Sequence, residues 1–483
     1  MMPSNRDSCM RATWVVLACV VSSPWGEAQE MIPKPSAEKT PSVRLPQTAI
    51  DKASFPVVDV HTHFWIKGRH DAELLDRYVQ WMDRNGIEVC VSLDGQIPGK
   101  LDEHLDFLWA RYRDRFVVFA NLDFIGSGSL DRPGTLACND SRFVRDMCER
   151  LQAAADQRRV SGLKFFKDFG LRYRNADGSL IAIDDPRWDP IWECCARNRL
   201  PVIMHTADPS AFFRPADQDN ERAGELAAHP EWSFAGPEYP SRESLHAARN
   251  RVIARHPKTT FIAAHFGNDA EDLQELSGWM DTYPNLYVEF SSRLNELGRQ
   301  PYSSQAFFER YQDRILLGTD GPFPEERLRI YWRFLETRDE YFLYSEKSPP
   351  PQGDWRIYAL GLPPEILKKV YHANAAAVIP GVAERLEARH PHLLVCISLH
   401  TGVNQVDHEP ESVIQRRQRV GLILLTLFTI AYGGFIGLCT FAYTWISETR
   451  IAGIPLTVAY GFGLIGMSIA VACVYGFMNR QAK

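Results

Sequence analysis

Between Phe55 and Asp320 the sequence predicts an α/β fold, a closed (β/α)8 TIM barrel, and three observations predict it. Eight short apolar runs alternate with stretches of helical periodicity, the order that builds βαβ units and a parallel sheet. The runs are close to continuously apolar, as in Phe261-Ile262-Ala263-Ala264, which suits strands buried on both faces. Polar side chains stand where several runs stop, and reactive groups in such barrels sit at C-terminal strand ends.

The first run, Val57 to Phe64, holds His61 and His63 near its end. Ala72 to Asn85 follows as an amphipathic helix stopped by Gly86. The second and third runs are Ile87 to Asp94 and Phe116 to Asp123, the latter carrying Asn121. The fourth, Val160 to Lys167, closes on Lys164 and Lys167, and the fifth, Leu200 to Asp208, contains His205. A long segment from Ala207 to about Ser241, rich in aromatic residues, is expected to pack as a lid over a pocket. Arg222 and Arg242 near it are expected on solvated helix faces, with anion contact as the alternative. The sixth run, Thr259 to Gly267, carries His265; the seventh, Leu286 to Ser292, is followed by Arg293; the eighth, Ile315 to Asp320, ends in its aspartate. A second aromatic insertion, Pro322 to Pro363, is expected either to cover the barrel mouth or to join subunits of a homo-oligomer.

The chain has 483 residues, 45% hydrophobic and 24% charged, which excludes a disordered or collagen-like polymer. Its net charge of −6 gives no basic footprint for nucleic acid. Residues 389–483 carry seven Lys/Arg against four Asp/Glu, which leaves −9 on residues 1–388. The ten cysteines include no C-x-x-C pair and make no disulfide scaffold.

The two ends differ from the acidic body. Residues 1–28 read as a secretory signal: Arg6 and Arg11 precede the apolar run Ala12 to Val21, and small residues lead to Ala28. Residues 29–54 form a Pro-rich linker, 55–388 the barrel domain and 389–411 a second linker. Residues 412–483 are expected to form a two-helix transmembrane hairpin, because no charge occurs from 420 to 447 or from 451 to 478. This tail resembles short two-helix inner-membrane proteins of unknown function. The expected protein is thus membrane-anchored with an exported body. Basic residues flank both spans, however, and positive-inside logic places both flanks in the cytoplasm, so the two ends conflict on sidedness.

Asp59-Val60-His61-Thr62-His63 is the strongest local signal. Alternate strand positions share a face, so both imidazoles can address one point, and imidazole suits zinc and its divalent neighbours. His205 and Asp320 complete a coordination set of histidines and one aspartate, and His265 adds a strand-end base. Asp59 is expected either beneath His61 as an acceptor or as a strand-end cap.

The ordered set Val58-Asp59-Val60-His61-Thr62-His63, Val202-Ile203-Met204-His205-Thr206, Phe261-Ile262-Ala263-Ala264-His265 and Leu317-Gly318-Thr319-Asp320-Gly321-Pro322 resembles the amidohydrolase superfamily. The likeness is to the branch of amidohydrolase-2 and the aminocarboxymuconate-semialdehyde decarboxylases, over about Phe55 to Pro380. It implies one divalent metal, zinc being the expected ion, on His61, His63, His205 and Asp320. It also implies that His265 stays off the metal and, with Asp320, handles the proton of the attacking water. Lys164, Lys167, Asn121 and Arg293 are the expected substrate contacts, the lysines as clamps on an anion or, alternatively, as a bridge between two metals. The expected activity is hydrolysis of a small ester, lactone or amide. Non-oxidative decarboxylation of a small carboxylic acid is the alternative, and a non-catalytic membrane-tethered binding module is a third reading.

Overall fold

The computed structural model describes residues 45–347 and 350–391, with scattered positions between 429 and 460. The expected signal, most of the first linker, nearly all of the second linker and most positions of the two expected spans lie outside the described residues. Among the described residues no helix is long and apolar enough to cross a membrane. Arg450–Ile451 pairs antiparallel with Ile454–Pro455 in the described part of that region.

All eight expected strands form. They are β1 (Val57–Thr62), β2 (Ile87–Ile97), β3 (Phe116–Leu122), β4 (Leu163–Phe165), β5 (Val202–Met204), β6 (Phe261–Ala263), β7 (Leu286–Glu289) and β8 (Ile315–Leu316). Neighbours pair in parallel in sequence order, as right-handed crossovers through intervening helices require. Backbone bonds beyond β8 close the ring: Val60 N–H donates to Leu317 O at 2.9 Å, Asp320 N–H to His61 O at 2.8 Å and His63 N–H to Gly321 O at 2.7 Å. Closure leaves no edge strand to protect.

The first helix occupies Ala72–Asn85, with Asp71 accepting from the Glu73 and Leu74 N–H groups and Gly86 ending it in the left-handed conformation at φ 81°. That cap needs a residue without a Cβ penalty. Two apolar layers result from the alternation along each strand. Val89, Val91, Val117, Phe119, Ile203, Ile262 and Leu316 fill the barrel lumen, closed below by Ile379, Val382 and Leu386. Alternate residues such as Cys90, Val118, Phe165 and Met204 pack outward with residues of the surrounding helices. β1 departs from the simple register: it carries an extra residue relative to β2 between Asp59 and Thr62. A bulge there re-aims side chains next to the mouth.

Candidate metal centre and substrate pocket

His61 and His63 are both buried, and their Nε2 atoms face each other at 3.2 Å. Asp320 Oδ1 lies 3.6 Å from each. Ligand atoms about 2.0–2.2 Å from one tetrahedral ion are separated by about 3.3–3.6 Å, so the triangle has the dimensions of a divalent metal site. The far side of each ring is fixed by a carboxylate. Nδ1–H of His61 donates to Glu289 Oε1 at 2.8 Å, and Nδ1–H of His63 to Asp94 Oδ1 at 2.7 Å. A carboxylate can only accept, so both protons sit on Nδ1 and both Nε2 lone pairs point into the triangle.

Electrostatics agree with that assignment. Burial, reinforced by Lys164, holds His61 well below its ordinary value, so the ring is neutral. Burial alone would raise Asp320, but the Lys67 ammonium leads the groups that outweigh it and keep the carboxyl ionised, well below the usual range. Lys67 Nζ pairs with Asp320 Oδ1 at 2.7 Å. Asp94 is likewise lowered, its burial outweighed by His63 and two backbone N–H groups.

His205, the expected fourth ligand, stands slightly apart. His61, His63 and Asp320 bring ligand atoms within 4.8 Å of one another, and His205 does not join that set. Its ring lies 4.4 Å from that of His265. Its Nε2 is buried without a hydrogen-bond partner, 3.6 Å from Asp208 Oδ1. Burial lowers it to about 4, which leaves a neutral ring. His61, His265 and Glu289 also cluster, but their contacts are hydrogen bonds. Glu289 accepts from the His61 ring, the His265 N–H and the Ser291 N–H and hydroxyl.

His265 is oriented from behind. Its Nδ1 lies 3.0 Å from Ser291 O and 2.9 Å from Ser291 Oγ, so donation to the carbonyl leaves Nε2 as the free acceptor. Burial, then His205 and His61, push it well below its ordinary value. The residue has φ 55°, and Ala207, Ser292 and Asp320 are also left-handed, at 57°, 55° and 68°. Such backbone costs about 1 kcal/mol or more per non-glycine residue and persists where surrounding bonds over-determine it. Here the His265 N–H to Glu289 and Asp320 N–H to His61 bonds do so. Close approach explains Gly318, where a Cβ would sit 2.3 Å from Glu289 Oε2 and 2.9 Å from His61 Cβ.

A family model described as amidohydrolase matches residues 58–381, the whole barrel from β1 to the helices that close its base.

The chain belongs to the amidohydrolase family.

Solved structures to which this amidohydrolase is similar include 4-oxalomesaconate hydratase from Rhodopseudomonas palustris, at 13% identity and a TM-score of 0.38, covering 69% of this chain and 98% of the other. Another is a lactonase from Listeria monocytogenes, at 12% identity and a TM-score of 0.34, covering 68% and 95%. A third is an amidohydrolase from Burkholderia multivorans with bound zinc, at 13% identity and a TM-score of 0.31, covering 67% and 98%.

A pocket of about 300 Å³ opens beside the triangle, walled in part by Asp320, His205 and His265. Five cations, Lys67, Lys167, Arg222, Arg293 and Arg327, face it against Asp208, Glu225 and Asp320. Of the expected substrate contacts, Lys167 and Arg293 line the pocket. Lys167 pairs with Asp208, and Arg293 is held by Asn268 Oδ1 and Ser292 O. Asn121 and Lys164 stand off the wall. The Asn121 amide donates to Leu93 O at 3.0 Å. Lys164 faces the lumen, its buried ammonium without a hydrogen-bond partner and lowered to about 8 by burial. Phe212 and Trp232 of the first insertion and Phe323 and Gln352 of the second line the pocket, so both insertions cover the mouth.

The expectation for the two arginines is corrected, and of the two readings of Asp59 one is excluded. Asp59 does not receive the His61 ring; it accepts from the His61 N–H, the Thr319 N–H and the Thr319 hydroxyl, tying β1 to the end of β8. Arg222 and Arg242 are not on solvated faces. Arg222 is 1% exposed and pairs with Glu225 and Glu296, and Arg242 pairs with Asp269. The Arg222 change follows from the loop folding back over the barrel, which removes water from a charge that local sequence places on a polar stretch. Arg222→Ala is therefore expected to lower unfolding stability by about 3–5 kcal/mol in denaturant titration, because it strands a buried carboxylate at Glu296.

Ser291, Asp208 and Lys67 were not singled out from sequence. Ser291 shares strand parity with Glu289, a weak signal; Lys67 lies in a loop and carries none. Glu289→Gln is expected to weaken metal binding about 10–100-fold, measured by competition with a chelator, since it loosens the orientation of His61.

Proposed function

We propose that this amidohydrolase hydrolyses a small ester, lactone or amide, using one divalent ion, zinc first among candidates. His61, His63 and Asp320 would hold the ion, with His205 as the fourth ligand. The observation that carries the proposal is the pair of imidazole lone pairs aimed at each other across 3.2 Å with an ionised carboxylate beside them. Such a vertex is electron-rich and calls for a cation. A divalent ion bound there polarises a carbonyl and brings the pKa of water from about 15.7 to near 7.

The chain supplies the rest. His265 accepts a proton at Nε2 and returns it to the leaving group, its ring held by Ser291. Asp320 shares that proton. Lys167 and Arg293 grip an anionic or carbonyl oxygen of the substrate from the pocket wall, and Lys164 acts from the lumen through its field on His61 and Asp320. The excess of cations on the wall favours a substrate bearing a carboxylate, and with it a second reading, non-oxidative decarboxylation. A panel of lactones, esters and aromatic carboxylates incubated with metal-loaded protein separates the two. Acid release without carbon dioxide is expected; carbon dioxide release would replace hydrolysis by the second reading.

A further inference from the structure

A second chamber of about 380 Å³ adjoins the first, and the two share Ser292, Phe323, Arg327, Pro351 and Gln352 as common wall. Their chemistry differs. Beyond the shared wall the second chamber is lined in depth by Leu294, Ile330, Tyr331 and Tyr344. Both tyrosine hydroxyls are tied to backbone. Tyr331 donates to Thr319 O and accepts from the Ser292 N–H, while Tyr344 donates to Gly353 O and accepts from the Gln352 N–H. What they have left for a ligand is ring surface. The charged residues of this chamber other than Arg327, namely Glu326, Glu346 and Lys347, are exposed. At the junction Phe323 lies under Arg327 at 3.6 Å and under Lys67 at 5.4 Å, so a cationic gate stands between a polar room and an apolar one.

We propose that the substrate is bipartite: its reacting carbonyl sits beside Asp320 and His265, and an apolar arm of several carbons passes Arg327 into the second chamber. This rests on the hydrolytic reading of the first pocket for the position of the carbonyl. The arm's site rests on the shared wall and the apolar lining alone. Apolar burial in a chamber continuous with the reactive one converts chain length into affinity.

The test uses the full chain and straight-chain carboxylates from acetate to decanoate as unreactive probes, with dissociation constants measured by calorimetry. Binding is expected to tighten about fourfold per added methylene once the chain passes Arg327. Ile330→Trp, which fills the chamber from its helix, is expected to flatten that slope, and Ser345→Trp to flatten it from the facing loop. A flat slope in the unaltered protein, or a slope that survives both substitutions, overturns the proposal. A slope present without turnover of any ester, lactone or amide supports the chamber and removes the hydrolytic reading instead.

Discussion

Replacing His61 and His63 together with alanine is expected to abolish metal binding and to lower kcat/KM by at least about 10⁴-fold. The two Nε2 atoms and Asp320 Oδ1 form the triangle, and removing two of its three corners leaves one carboxylate already paired with Lys67. A carboxylate in contact with an ammonium, with only the more distant His205 left to join it, has no reason to retain a divalent ion. A divalent ion held there would supply several kcal/mol of barrier reduction, and each 1.4 kcal/mol or so is tenfold in rate. Elemental analysis of the purified protein gives metal per chain, and far-UV circular dichroism shows whether the barrel persists. The substitutions free Glu289 and Asp94 from their ring partners, so modest destabilisation accompanies the loss. Full metal occupancy in the double variant would refute the assigned ligands.

For His265 the expected outcome is different: metal retained and rate reduced by roughly 10²–10⁴-fold, the range of a lost general base. Its ring belongs to a hydrogen-bonded group with Ser291 and lies 4.9 Å from the His61 ring, centroid to centroid. Alanine at 265 would also carry the backbone cost of φ 55°. His265→Asn removes that ambiguity, because asparagine tolerates the left-handed region. Both variants should bind metal as the unaltered protein does, and both should lose rate. Loss of metal in both would place His265 among the ligands.

Much of the barrel was legible because its signals are local. A strand buried on both faces must be apolar for its whole length, and each of the eight runs became a strand. The helix from Ala72 to Asn85 announced its end through Gly86; the Asp71 cap at its start is seen in the structure. His61, His63 and Asp320 were legible because a charged or imidazole group at the end of an apolar run has no local reason to be there.

What the sequence by itself determined is therefore the alternation of strand and helix and the residue types at the strand ends. Only the tertiary structure decided which nitrogen of each imidazole faces the triangle, because that choice is made by Glu289 and Asp94, on other strands. It also decided that Asp59 ties β1 to β8, that Arg222 is buried and that His265 and Asp320 are left-handed. Periodicity reports which face of an element is dry. The direction of a lone pair and the burial of a charge depend on atoms brought in by ring closure and by two folded-back insertions, and these leave no mark on neighbouring residues in the chain.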